Sequence, residues 1–247
     1  MTDPLGPARA LLLDIDDTVL DTKAAMTRAA AMLIGEIWPE AADRRHELGA
    51  RYHADPRGFF ARYTTGELSF ERMRELRLQE TAEHAGLSWS REHSDAFEAA
   101  WPGAFSTGTE VFDDVRPLLE RCAARGIRVG ALTNSSTTFT ELKLRATGLA
   151  DAFAAVATTD TLGFGKPDPR AFHEACRLLG SDRAETAYVG DALEVDAVAA
   201  NAAGLRGIWL DRRGRREAEA EAENAERLDA EVLAVPVIHS LDELVLG

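Results

Sequence analysis

From about residue 105 onward the chain alternates short β-rich runs with helical patterns that end at glycine, a rhythm that few folds accommodate. "IRVGALT" (127–133) follows the helical pattern "DDVRPLLERCAARG", which Gly126 can end, and precedes "SSTTFTELKLRATG", which Gly148 can end. "FAAVAT" then reads as a strand and "DPRAFHEACRLLG" as a helix, "TAYVG" as a strand and "ALEVDAVAANAAG" as a helix, and "LRGIWLD" as a further strand. Such alternation implies an α/β fold, a doubly wound parallel sheet with helices on both faces. The charge-dense segment 212–231 reads as a solvated helix or loop, and "VPVIHSLDEL" returns to a strand and a terminal helix.

Residues 22–104 break the rhythm with amphipathic patterns such as "TKAAMTRAAAMLIGEIW" and "SFERMRELRLQETAEHAG" and hardly any strand signal. They read as a helical insertion after the first strand. The expected domains are therefore 1–21 joined with 105–247 as the α/β core, and 22–104 as the helical unit. A chain of 247 residues can bury cores for both. Its net charge of −14 argues against nucleic acid as a partner, and no segment approaches the roughly 20 apolar residues of a membrane span. Cys122 and Cys176 each lie among apolar residues at helical spacing, which reads as buried thiols. With no signal-peptide pattern at the N-terminus, the expected location is the cytoplasm.

The first strand runs straight into acid: "RALLLDIDDTVLDT" (9–22) carries Asp14, Asp16, Asp17 and Asp21. Packing does not ask for this, since neighbouring carboxylates repel and resist losing water. In an open parallel sheet the strand carboxyl ends share one edge, so Asp14 should meet Thr133 and Asn134, Lys166, and Asp191 with Asp196, each placed after a predicted strand. Such an acidic cluster calls for cations, and a hard, oxygen-seeking ion such as Mg²⁺ together with Lys166 would supply them. Thr133, Asn134, Ser135 and Ser136, where a strand hands over to a helix, read as an anion cradle of hydroxyls and unpaired N–H groups. Metal, lysine, helix start and carboxylate together suit phosphoryl transfer.

Four short motifs carry a family resemblance. "DIDDT", "LTNSS", "GFGKPDPRAF" and "VGDALEVD" resemble, in order, the four motifs of the haloacid dehalogenase superfamily, many members of which carry a helical cap between the first two. The resemblance implies a Rossmann-like core with an inserted cap, and a Mg²⁺-dependent phosphatase acting on a small phosphorylated metabolite. It implies that Asp14 is the nucleophile that forms an aspartyl phosphate and that Asp16 is the acid and base, its main-chain carbonyl also binding metal. Thr133 and Lys166 would hold the phosphoryl group, with Asn134 beside them at the substrate. Asp191 would ligate the metal with Asp14, and Asp196 would act in its outer sphere; Val195 stands where many members have an amide or acid. Asp17 and Asp21 match no catalytic position and read as loop acids. In the insertion, Arg62, Tyr63 or Arg72 could face the substrate, although ordinary packing explains them as well. A 2-haloacid dehalogenase using Asp14 without metal, a phosphomutase and a non-catalytic protein of the same fold are the alternatives; Asp16 favours the phosphatase over the dehalogenase, the set Asp14, Asp16, Lys166 and Asp191 argues against the non-catalytic protein, and the phosphomutase shares the same core residues.

Overall fold

The structure, a computed structural model, describes residues 8–64, 66–214 and 235–246. By contacts the chain divides into two compact units, Thr22–Glu110 and Met1–Asp21 with Val111–Gly247.

The Thr22–Glu110 unit is helical: α1 (Thr22–Ile37), a 3₁₀ turn (Pro39–Arg44), α2 (Arg45–Ala54), α3 (Phe59–Thr64), α4 (Phe70–Ala85) and α5 (Arg91–Gly108). Because α5 runs on to Gly108, this unit extends past the expected boundary at 104. Leu33, Ile34, Trp38, Leu48, Tyr52, Leu78, Phe97 and Trp101 form its core. The contact between α1 and α2 is close, because α1 offers alanines and α2 offers Gly49, where a Cβ would lie 2.6 Å from the Thr27 carbonyl. Ser69 caps α4 by accepting from the Arg72 N–H at 3.2 Å, and Gly86, at φ 71°, closes it.

The other unit holds six parallel strands in the order β3-β2-β1-β4-β5-β6. They are β1 (Ala10–Leu13), β2 (Arg128–Leu132), β3 (Val156–Ala157), β4 (Thr186–Gly190), β5 (Arg206–Leu210) and β6 (Val237–Ile238). The order steps outward from β1 in both directions, so the crevice beyond the carboxyl end of β1 is the topological switch point of the sheet. Leu11 and Leu13 pack on one face with Val115, Leu118 and Cys122 of α6 (Val115–Ala124). Ala10 and Leu12 pack on the other, with Phe172, Ala175 and Cys176 of α9 (Pro169–Leu179). Burial on both faces explains why β1 is a continuous apolar run. The two cysteines lie on opposite faces of the sheet, and burial pushes the Cys122 thiol up to about 11.

Three expectations change. β3 is only two residues long, and the terminal helix is a single 3₁₀ turn (Leu241–Glu243) that Ser240 and Glu243 cap reciprocally. Most of 212–231 lies outside the described residues, but Arg212 is not solvated: its guanidinium holds both oxygens of Asp114 at 2.7 and 2.8 Å. Among the described residues no helix is long and apolar enough to cross a membrane.

In an open helix interior Gly→Ala stabilises, but at Gly49 the added methyl meets α1 backbone. Gly49→Ala is therefore expected to destabilise the helical unit by about 1–3 kcal/mol, read as a lower Tm in a thermal melt. An unchanged or higher Tm would contradict this packing.

Candidate active site

Alternation along β1 fixes where Asp14 emerges. Ala10 and Leu12 face α9, so Asp14, two residues beyond Leu12, comes out on that same side. Tyr188, opposite Leu12 in the register, shares the face. Into this corner reaches Lys166, from the loop before α9. Its Nζ donates to Asp14 Oδ1 at 2.6 Å, to Asp196 Oδ1 at 2.6 Å and to the Tyr188 hydroxyl at 2.8 Å. The side chains of Lys166, Asp14 and Asp196 are 4%, 7% and 2% exposed, so these charges have left water and rely on one another.

Asp191 follows β4 directly. Beyond it the chain makes a wide π-helical turn (Leu193–Val198) before α10 (Ala199–Ala202), where an ordinary helix was expected. The turn folds Asp196 inward, its Oδ2 accepting the Ala192 N–H at 2.9 Å, while Glu194 stays exposed. Gly190 is glycine for a local reason, since a Cβ there would collide with the Asp196 carboxylate. One carboxylate oxygen from each of Asp14, Asp191 and Asp196 lies within 4.8 Å of the others.

Burial raises the Asp14 carboxyl well above the ordinary carboxylate range; Lys166 pulls it back, and repulsion from Asp196 and Asp16 pushes it further up. Burial works against the Lys166 ammonium too, but Asp14 and Asp196 more than offset it, and the lysine is held protonated. Burial and then the Asp196 and Asp14 charges keep the Tyr188 phenol neutral. One ammonium among three carboxylates leaves two negative charges, which a single divalent cation would balance. The donors are all hard oxygens, so the residues present fit Mg²⁺.

The end of β2 builds the other wall. Thr133, buried, lies with its Oγ1 3.5 Å from Asp16 Oδ2, and that hydroxyl accepts the Ser135 N–H at 3.1 Å. The amide of Asn134, expected at the substrate, clasps the main chain of Lys166 instead: Nδ2 donates to the carbonyl at 2.8 Å and Oδ1 accepts the N–H at 2.7 Å. Gly165 permits the clasp, since a Cβ there would sit 2.5 Å from Asn134 Oδ1. Ser136, placed with the anion cradle by sequence, caps α7 (Thr137–Ala146) by accepting from the Phe139 N–H, and Asp160 accepts from the Thr137 N–H. The N–H groups of Ser135, Thr137 and Phe139 are thus already engaged.

One residue escaped the sequence reading altogether. Lys143 of α7 is buried, and its Nζ donates to Asp16 Oδ1 at 2.5 Å. Its signal was present but faint: Thr140, Lys143 and Leu144 share the inward stripe of α7 at helical spacing. Asp17 and Asp21 are also better placed than expected. With Asp191, Phe112, Arg212 and Arg213 they line a crevice of about 170 Å³. In the helical unit Arg62 pairs with Glu67 and Arg72 with Glu75, both at 2.7 Å, and the Tyr63 ring sits 6.0 and 5.5 Å from those of Phe60 and Phe70.

This geometry has relatives. The chain is 29% identical over 248 residues to the phosphoserine phosphatase of Thermus thermophilus, spanning 87% of this chain and 92% of that one. It is 29% identical over 198 residues to the phosphoglycolate phosphatase of Thiobacillus denitrificans, spanning 80% and 81%. Its fold is similar to that of the putative HAD-hydrolase YfnB of Bacillus subtilis bound to magnesium, at a TM-score of 0.73 and 21% identity over 96% of each chain. It is also similar to that of the L-2-haloacid dehalogenase of Xanthobacter autotrophicus, at a TM-score of 0.65 and 18% identity over 96% of each. A family model for haloacid dehalogenase-like hydrolases matches residues 8–204, which include Asp14, Asp16, Thr133, Lys166, Asp191 and Asp196, and the chain belongs to that family.

Proposed function

We propose that this hydrolase is a Mg²⁺-dependent phosphatase that cleaves a small phosphomonoester through an aspartyl phosphate on Asp14. The observation that carries the reading is the buried set Asp14, Asp191 and Asp196 around Lys166, whose net negative charge only a further cation balances. The phosphatase names of its relatives support a small phosphorylated substrate.

In the first step an Asp14 carboxylate oxygen attacks phosphorus. The bond from phosphorus to the ester oxygen breaks, and Asp16 gives its proton to that leaving oxygen. In the second step Asp16 takes a proton from water, the resulting hydroxide attacks phosphorus, and Asp14 is released as carboxylate with inorganic phosphate. Lys166, fixed by Asp14, Asp196 and the Asn134 clasp, presents its positive charge where phosphoryl oxygens would lie, and the Thr133 hydroxyl joins it. Asp14, Asp191 and the main-chain carbonyl of Asp16 would hold Mg²⁺, with Asp196 orienting from outside; when bound, the ion neutralises charge on the transferring group. Two free, buried thiols agree with a cytoplasmic setting.

Hydrolysis of p-nitrophenyl phosphate is expected to vanish with chelator and return with Mg²⁺, and Asp14→Asn is expected to lose at least about a thousandfold in kcat. Turnover that ignores chelator, or release of halide from 2-chloropropionate in place of phosphate hydrolysis, would sink the proposal. For Asp196→Asn the Mg²⁺ concentration for half-maximal activity is expected to rise about 10- to 100-fold, as loss of an outer-sphere partner does. An unchanged Mg²⁺ titration would remove Asp196 from that role.

A further inference from the structure

A tyrosine hydroxyl inside an apolar layer is costly unless a polar partner meets it. Tyr188 is wholly buried on the α9 face of the sheet, opposite Leu12 in the register and in one cluster with Leu132, Phe172 and Ala175. A phenylalanine ring would fill the same space, so packing alone does not ask for the hydroxyl. The ring itself is fixed: β4 holds its backbone, and Phe172 meets it edge to face with centroids 5.1 Å apart. Its oxygen therefore stands at a set point, 2.8 Å from Lys166 Nζ, 3.0 Å from Asp196 Oδ1 and 3.2 Å from the Leu132 carbonyl oxygen.

A lysine ammonium has three N–H donors, and Lys166 meets three acceptors: Asp14 Oδ1, Asp196 Oδ1 and the Tyr188 oxygen. The hydroxyl accepts from Lys166 and gives its own single proton to Asp196 or to the Leu132 carbonyl. Lys166 enters from a loop on a flexible stem, so its acceptors decide where the charge lies. They are not equivalent. Asp14 loses its charge when it is esterified by the phosphoryl group, and Asp196 is shared with the outer sphere of the metal, whereas Tyr188 is rigid and unaltered by either step. We infer that Tyr188 is a positioning residue: its hydroxyl keeps the Lys166 ammonium in place while the charge on Asp14 changes, so that a fixed positive charge meets the transferring phosphoryl group. This rests on the phosphatase reading given above, and gives a role within it to a residue that the resemblance leaves without one. A charge held ready where negative charge develops stabilises the transition state more than the bound substrate.

The test compares wild type, Tyr188→Phe and Tyr188→Met on p-nitrophenyl phosphate, with Mg²⁺ titrated. Inhibition by vanadate, which can take the five-coordinate shape of the transferring phosphoryl group, is set against inhibition by inorganic phosphate. Tyr188→Phe keeps the ring and removes the hydroxyl. Its kcat is expected to fall about tenfold and vanadate inhibition to weaken in parallel, while KM, inhibition by phosphate and the Mg²⁺ concentration for half-maximal activity each stay within about twofold of wild type. Tyr188→Met, which removes ring and hydroxyl together, is expected to lose at least as much kcat. A kcat within about twofold of wild type in either variant, whatever its Tm, would show a hydroxyl that serves packing alone and overturn the inference. So would a loss of kcat with vanadate inhibition unchanged, or a raised Mg²⁺ requirement like that expected for Asp196→Asn, which would assign the hydroxyl to Asp196 in place of Lys166. Wild-type turnover is a separate readout: its absence with Mg²⁺ present would remove the phosphatase reading itself, and this inference with it.

Discussion

Everything at this site depends on how four aspartates are kept together at one edge of a sheet. Two lysines divide the task. Lys166 takes Asp14 and Asp196 at 2.6 Å each, and Lys143 takes Asp16 at 2.5 Å. Asp191 completes a cluster of four carboxylates against two ammoniums, and the two uncompensated charges are what a hard divalent cation would balance. Removing one partner of a buried ion pair costs several kcal/mol, so these contacts also fix which rotamers the acids can adopt.

The fold supplies the geometry with little adjustment. Because β1 pairs in parallel with both β2 and β4, the residues just past all three strands emerge beside one another. Strand parity then puts Asp14 and Tyr188 on the α9 face, where Lys166 arrives. Small local devices finish the work: Gly165 makes room for the Asn134 clasp, Gly190 makes room for Asp196, and the π-helical turn tips Asp196 inward. π turns of this kind recur at functional sites.

The sheet and the main acids were legible in the sequence because their signals are local. Alternating strands and helices, glycine stops and an apolar run ending in aspartate need no knowledge of distant residues. What stayed hidden was pairing across long sequence separations. Lys143 in "TELKLRATG" looks like any solvated helical lysine until Asp16 is placed beside it. Arg212 looked like part of a charged surface stretch, yet Asp114 claims it from 98 positions away. Asn134 and Ser136 have the right chemistry for an anion cradle, but the structure spends one on the Lys166 main chain and the other on a helix cap. Residue type shows what a group can bond, and only the fold decides which bond it makes.

The central claim is that Asp14 carries the phosphoryl group, and trapping that group tests it most directly. Asp16→Asn, incubated with p-nitrophenyl phosphate and Mg²⁺ and quenched in acid, should form the intermediate, since this leaving group needs little help, and then fail to hydrolyse it. Peptide mass spectrometry is predicted to find a phosphoryl adduct on the segment spanning residues 10–18, lost when Asp14→Asn is added. A phosphoryl adduct on another segment, or turnover by this variant with no adduct, would contradict the account.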